Sequence, residues 1–228
     1  MKDLLEKILA YLPVYIPDLI QLVSGPKRFV AERNRGQEGD AMKAFTFLGI
    51  SLAIFFALQA PLVASGKEFL SDTGGHGLLY LFFVVAFSAI VRLSWRIVGG
   101  KADYQRILVT SSYYAGIVAI GLALAILCSM GILRMFYPES YALFIRFVAT
   151  SNLREVSAAG PRVLRGILVA FATFAVVTLP TLVWGLIGWG AYRELNQLPR
   201  SHSSVALLLT IVLSLPIVAL EMTIALAS

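Results

Sequence analysis

Apolar runs of about twenty residues recur along this chain, and short charged segments separate them. The runs are 44–65, 77–98, 107–130 (with room to extend to Tyr137), 165–190 and 203–226. A hydrocarbon core about 30 Å thick needs about 20 apolar residues in a helix to cross it, so each run predicts one crossing. Composition agrees: 58% of residues are hydrophobic, 14% are charged, and mean hydropathy is +0.81. Soluble domains average about half apolar and a quarter charged. A soluble domain of 228 residues could not hide this much apolar surface in one core, so lipid must serve as its solvent. The expected fold is all-α: a polytopic membrane bundle of about five transmembrane helices, accompanied by interfacial amphipathic helices.

The segments between runs set the expected orientation. The net charge of +6 comes from basic residues in short connections rather than on one face, which argues against nucleic acid as a partner. With the N-terminus inside, thirteen Lys and Arg fall on the inner side and six on the outer side. The positive-inside rule then predicts a cytoplasmic N-terminus and an outer C-terminus. Residues 1–43 form the expected cytoplasmic region and 44–228 the five-span domain. Within the first, Leu4, Leu5, Ile8, Leu9 and Leu12 lie at helical spacing. Pro13 and Pro17 are expected to split the stretch into two short interfacial helices, apolar side toward lipid. Lys2, Asp3, Glu6 and Lys7 make it a poor cleavable signal. Residues 66–76 read as a short outer loop, and Tyr141, Phe144, Ile145 and Val148 as a surface helix in the outer segment 131–161.

Chemistry-bearing residues are sparse. Two His, one Cys and no carboxylate pair inside a run leave no reading as a metal centre or nucleophilic enzyme, and no cofactor is expected. Cys128 sits in an apolar run, has no partner for a disulfide, and reads as packing. Ionisable residues in spans carry a functional expectation by default. Arg92 lies near the inner boundary, where its side chain can reach headgroups. Glu221 lies toward the outer boundary, level with Arg134 and Arg165, so an ion pair with one of them is expected.

The turn between the second and third runs is the most informative stretch. Gly99 and Gly100 are expected to stop the second helix, and Tyr104, Tyr113 and Tyr114 suit the headgroup boundary. A connection this short forces antiparallel neighbours. Ser112, Ala115, Gly116 and Ala119 make one stripe of small residues, which predicts close approach by another helix.

Several pieces together resemble the Yip/Yif family of membrane proteins, in particular its bacterial members. They are Pro26 to Phe29 ahead of the first run, Gly99 to Tyr104 at the turn, and the pair Tyr113 and Tyr114. The return segment from Tyr192 to Arg200, followed by Ser203 to Ala206, is also similar. The resemblance implies five spans, a cytoplasmic N-terminus and a non-catalytic role in organising membranes, here in a bacterial inner membrane. Expected partners are membrane lipids, and other membrane proteins or a second copy of the chain. The competing expectation is a small transporter or channel, or an accessory subunit of one, which would need a water-filled path near mid-membrane.

Overall fold

The computed structural model describes residues 2–59, 66–150 and 160–227. Eight helices make up this part: α1 (Lys2–Ser24), α2 (Pro26–Arg33), α3 (Asp40–Gln59), α4 (Gly66–Ile97), α5 (Tyr104–Phe136), α6 (Pro138–Thr150), α7 (Pro161–Asn196) and α8 (Arg200–Ala227). No strand occurs among the described residues. Four segments are long and apolar enough to cross a membrane: α3, Gly77–Ile97 within α4, α5 and α7. The fifth expected crossing falls in α8, whose segment Arg200–Pro216 is a shorter apolar helix. The protein is an all-α membrane helix bundle.

Its centre is α5, which packs against α3, α4, α6 and α7. Small residues allow this. A Cβ on Gly116 would lie 2.7 Å from the Phe47 ring and 2.8 Å from the Ser51 hydroxyl, so α3 approaches the backbone of α5 directly. On another side of α5, Gly121 meets Thr181 of α7 in the same way. Ser112, Ala119 and Ala123 are fully buried. The stripe around Gly116 is therefore a helix contact, as its spacing predicts, and Ala123 belongs to the same packed core. α8 lies on the outside against α4.

The inter-helix connections are chemically explicit. At the end of α4, the Gly99 N–H donates to the Arg96 carbonyl and the Gly100 N–H to the Trp95 carbonyl. Gly99 has φ 94°, so this is a Schellman stop with glycine in the left-handed position. α7 ends alike, with Gln197 at φ 53° in that position. Between α2 and α3, the buried Asp40 carboxylate accepts from the N–H groups of Arg35 and Gln37, at 3.0 Å each.

Three expectations are corrected. Pro13 and Pro17 do not divide the N-terminal stretch: α1 is one helix of 23 residues that contains both. A proline removes one backbone bond from a helix, and packing on neighbouring helices can hold the helix together across that gap. The segment 66–76 has helical backbone and belongs to α4. It contains glycine but no proline, and each glycine weakens a helix by only about 1 kcal/mol without stopping it. Cys128 is exposed on α5 rather than packed. The surface helix in the outer segment is present as α6, starting at Pro138 and burying Leu143. The Val148 side chain lies outside the described residues.

Candidate functional site

Polar groups concentrate at one end of the bundle, where α1 and α2 meet the α4–α5 turn and the end of α7. α1 presents Tyr11, Tyr15, Asp18 and Leu22 to the bundle at i, i+4, i+7 and i+11. Its opposite side, with Leu12, Ile16, Ile20 and Val23, is exposed and apolar. The apolar side is thus free to face lipid, as expected of an interfacial helix. The polar side differs from expectation, because it enters the protein rather than water. The Tyr15 hydroxyl lies 3.0 Å from that of Ser51, eleven residues into α3. α1 therefore runs alongside the spans instead of resting on their tips. Its end is tied to α7, where the Trp184 indole N–H donates to the Val23 carbonyl at 3.2 Å.

The Asp18 carboxylate is 1% exposed and anchors this contact. It accepts from the Tyr11 hydroxyl at 2.6 Å and from the Arg33 guanidinium at 2.5 Å. Burial, then the bond to Asp18, pushes the Tyr11 hydroxyl far above the ordinary tyrosine range. Arg33 also lies over the Phe29 ring, 5.9 Å from its centroid. Phe29 in turn meets Tyr113 edge-on at 4.9 Å, and Tyr113 and Tyr15 both contact Phe47. Pro26 is buried at the start of α2. Phe29 and Tyr113, singled out from sequence, share one cluster on the α3 side of α5.

Tyr114 faces the other way. Its hydroxyl donates to the Gly188 carbonyl of α7 at 2.8 Å, and its ring lies edge-on to Trp184 and Tyr192. The Tyr192 hydroxyl pairs with Ser111 at 2.8 Å, and Trp189 stacks on the buried Trp95.

Two asparagines close the end. Asn34 donates to the Arg106 carbonyl and, at 2.9 Å, to the Thr110 hydroxyl. Asn196 accepts from the Ala102 N–H at 3.0 Å and donates to the Tyr192 carbonyl at 2.8 Å. A Cβ on Gly100 would collide with the Asn196 amide, so only glycine admits this staple. The two glycines of the turn serve different ends: Gly99 allows the backbone angle and Gly100 the close approach.

The remaining candidate residues lie elsewhere. Arg92 sits over the Tyr104 ring at 5.8 Å, and the Tyr104 hydroxyl donates to the Val85 carbonyl. Arg134 and Arg165 are exposed on α5 and α7. The Glu221 side chain lies outside the described residues, and with it the expected pair to Arg134 or Arg165. Asp18, Arg33, Asn34 and Asn196 were missed by sequence reasoning. The signal for Asp18 was its place on one helical face with Tyr11 and Tyr15. Asn34 and Asn196 carry no signal beyond lying where helices end.

Chemically, this site binds helices together. Asp18 is engaged by two donors, and the hydroxyls of Tyr114 and Tyr192 are engaged by protein groups. No group of three or more His, Cys, Asp or Glu suited to a metal ion occurs among the described residues. A cavity of about 400 Å³ lies between α4, α5 and α7, and its walls are chiefly aromatic, including Tyr80, Phe83, Phe87 and Trp184. A second, of about 390 Å³, lies toward the α6 end between α5 and α7 and is almost wholly apolar. Comparison with family models, curated proteins and solved structures finds no match to this chain.

Proposed function

We propose that this protein is a non-catalytic integral membrane scaffold, an organiser of membrane or protein assembly of the Yip/Yif kind, in a bacterial inner membrane. One observation carries the reading. Most of the polar groups described above hold helices to one another, and the cavities beside them are lined chiefly by aliphatic and aromatic side chains, with Gln59, Ser111, Ser129 and Ser214 as the polar exceptions. A transporter or channel requires polar groups that face a wet path and exchange protein partners for substrate. In the proposed topology the α4–α5 turn and the α7–α8 turn face the cytoplasm, and the C-terminus faces outward.

Thiol labelling in intact cells tests both parts. In a Cys128→Ser background, single cysteines at Ala115 and Ala170, in or beside the two cavities, are expected to resist a charged, water-soluble reagent. Labelling of both would reveal a water-filled path and favour the transporter reading. Cysteines at Lys101 and Arg200 are expected to be shielded and one at Asp72 to react, and the reverse pattern would invert the topology. Separation of native complexes from cells with and without the protein tests the organising role. A change in the size of other membrane assemblies is expected, and an unchanged profile would count against a scaffold.

A further inference from the structure

We infer that the outer face of the α4–α5 turn is a binding site for an anionic phospholipid, with the phosphate held by Arg92, Arg96 and Lys101. The inference rests on the protein being embedded in a membrane, and it names the lipid chemistry that one face of it selects.

These three cations line a concavity of about 250 Å³ whose remaining wall is Gly100, Ala102, Asp103 and Asn196. Three positive side chains thus face a single carboxylate. The ion pairs formed among the described residues are Arg28–Glu32, Arg33–Asp18 and Arg193–Glu194, so the three cations and Asp103 make none within 4.0 Å. Asp103 also forms no side-chain bond to the first turn of α5, whose unpaired N–H groups and positive dipole end open beside the cavity. A second concavity of about 430 Å³ shares Lys101, Ala102, Asp103 and Asn196 and adds Arg106, whose buried Nε has no partner. The turn therefore holds unneutralised positive charge in a concave place at the end of a membrane span.

The same side of α4 supplies a track for the acyl chains. Leu78, Phe82, Val85, Ala89, Arg92 and Arg96 follow one another at alternating steps of four and three residues, which keeps them on one helical stripe. Leu78, Phe82 and Val85 are 71%, 59% and 40% exposed, so the described helices leave much of the stripe open there. From Leu78 to Arg92 is fourteen residues, or about 21 Å at 1.5 Å per residue, which matches the reach of an acyl chain from its headgroup. Tyr104 lies between track and cations, bonded to the Val85 carbonyl and placed under Arg92. A headgroup at the cations and chains along the stripe fit one phospholipid molecule in one leaflet.

Native mass spectrometry of the full chain tests this. The detergent-purified protein is offered an equimolar mixture of phosphatidylglycerol and phosphatidylcholine with the same acyl chains. Wild type is expected to retain phosphatidylglycerol preferentially. Each basic residue near a membrane surface is worth about fivefold in affinity for anionic lipid, so Arg92→Gln/Arg96→Gln/Lys101→Gln is expected to weaken retention on the order of a hundredfold. Arg92→Lys/Arg96→Lys keeps the charge and is expected to keep most of the preference. Arg134→Gln/Arg165→Gln removes two exposed cations from the other end and is expected to leave it unchanged. Should the triple variant fail to fold, Arg96→Gln/Lys101→Gln alters only exposed side chains and is expected to lose about twenty-five-fold. Equal retention of the two lipids by wild type, or equal retention by wild type and these variants, would overturn the site. Displacement of the lipid by inorganic phosphate as readily as by lipid would assign the cavity to a soluble anion and overturn the lipid reading. The measurement reads one protein molecule, so failure of the scaffold reading would leave its result intact.

Discussion

At the α4–α5 end of the bundle, five helices are joined by directional contacts. Tyr15 meets Ser51, Arg33 meets Asp18, Tyr114 meets Gly188, and two asparagines bridge chain segments more than seventy residues apart. At the opposite end, α6 rests on α5 and α7 through a small apolar cluster around Met130, Leu133 and Ala170, beside an apolar cavity. One polar tie there is the Ser140 hydroxyl donating to the Val163 carbonyl at 3.0 Å. Met135 and Phe136, at the end of α5, are 72% and 68% exposed. In lipid an apolar side chain gains little by leaving lipid for protein, so apolar contact alone does not choose among helix arrangements. Close backbone approach and satisfied polar groups do choose. Close approach occurs at both ends, since a Cβ on Gly166 of α7 would collide with Ser140 of α6, so the ends differ in their polar and aromatic ties rather than in close packing.

The comparison breaks first at aromatic anchors. Phe29→Ala opens a void among Tyr113, Phe47 and Arg33 and is expected to cost about 3 kcal/mol or more, whereas Phe136→Ala is expected to stay within about 0.5 kcal/mol. Thermal unfolding in one detergent measures both, and similar losses would erase the contrast between ends.

Two glycines on one helix make the second test. Gly116→Leu forces α3 off α5 and is expected to cost about 1–3 kcal/mol. Nothing lies within 4 Å of a Cβ built on Gly131, so Gly131→Leu is expected to be neutral or mildly stabilising. Equal melting temperatures for the two leucine variants would contradict close packing at Gly116.

A smaller contrast lies in single hydrogen bonds. Asn196→Ala leaves the Ala102 N–H without its partner and is expected to cost about 1–2 kcal/mol, against about 1 kcal/mol for Ser140→Ala. Hydrogen exchange at Ala102 sharpens the reading, because loss of protection there reports the staple itself.

Much of this fold was legible because the requirements of lipid are strict. Runs long enough to cross, the Gly99 stop and the Gly116 stripe each follow from a constraint acting within one segment. The role of α1 was hidden for the opposite reason. The stretch reads as interfacial helices with the apolar side toward lipid, and only the arrival of Arg33, Ser51 and Tyr113 from other segments makes the side of Tyr11, Tyr15 and Asp18 an interior. Asn34 and Asn196 stayed invisible for the same reason, since a helix-terminal asparagine looks alike whether it faces water or a distant carbonyl. Gln197 adopts a left-handed angle that glycine would have advertised.

A double-mutant cycle across Asp18 and Arg33 tests most directly whether a polar tie joins α1 to α2, which packs on α5 through Phe29 and Tyr113. Unfolding free energies are measured for wild type, Asp18→Ala, Arg33→Ala and the double variant. About a third of the Arg33 side chain is exposed, so the coupling is expected near the lower part of the range for buried pairs, at about 2 kcal/mol. Each single change is then costly, and the second adds little to the first. Additive losses, with a coupling below about 0.5 kcal/mol, would contradict the account of Asp18 as the polar anchor between α1 and α2.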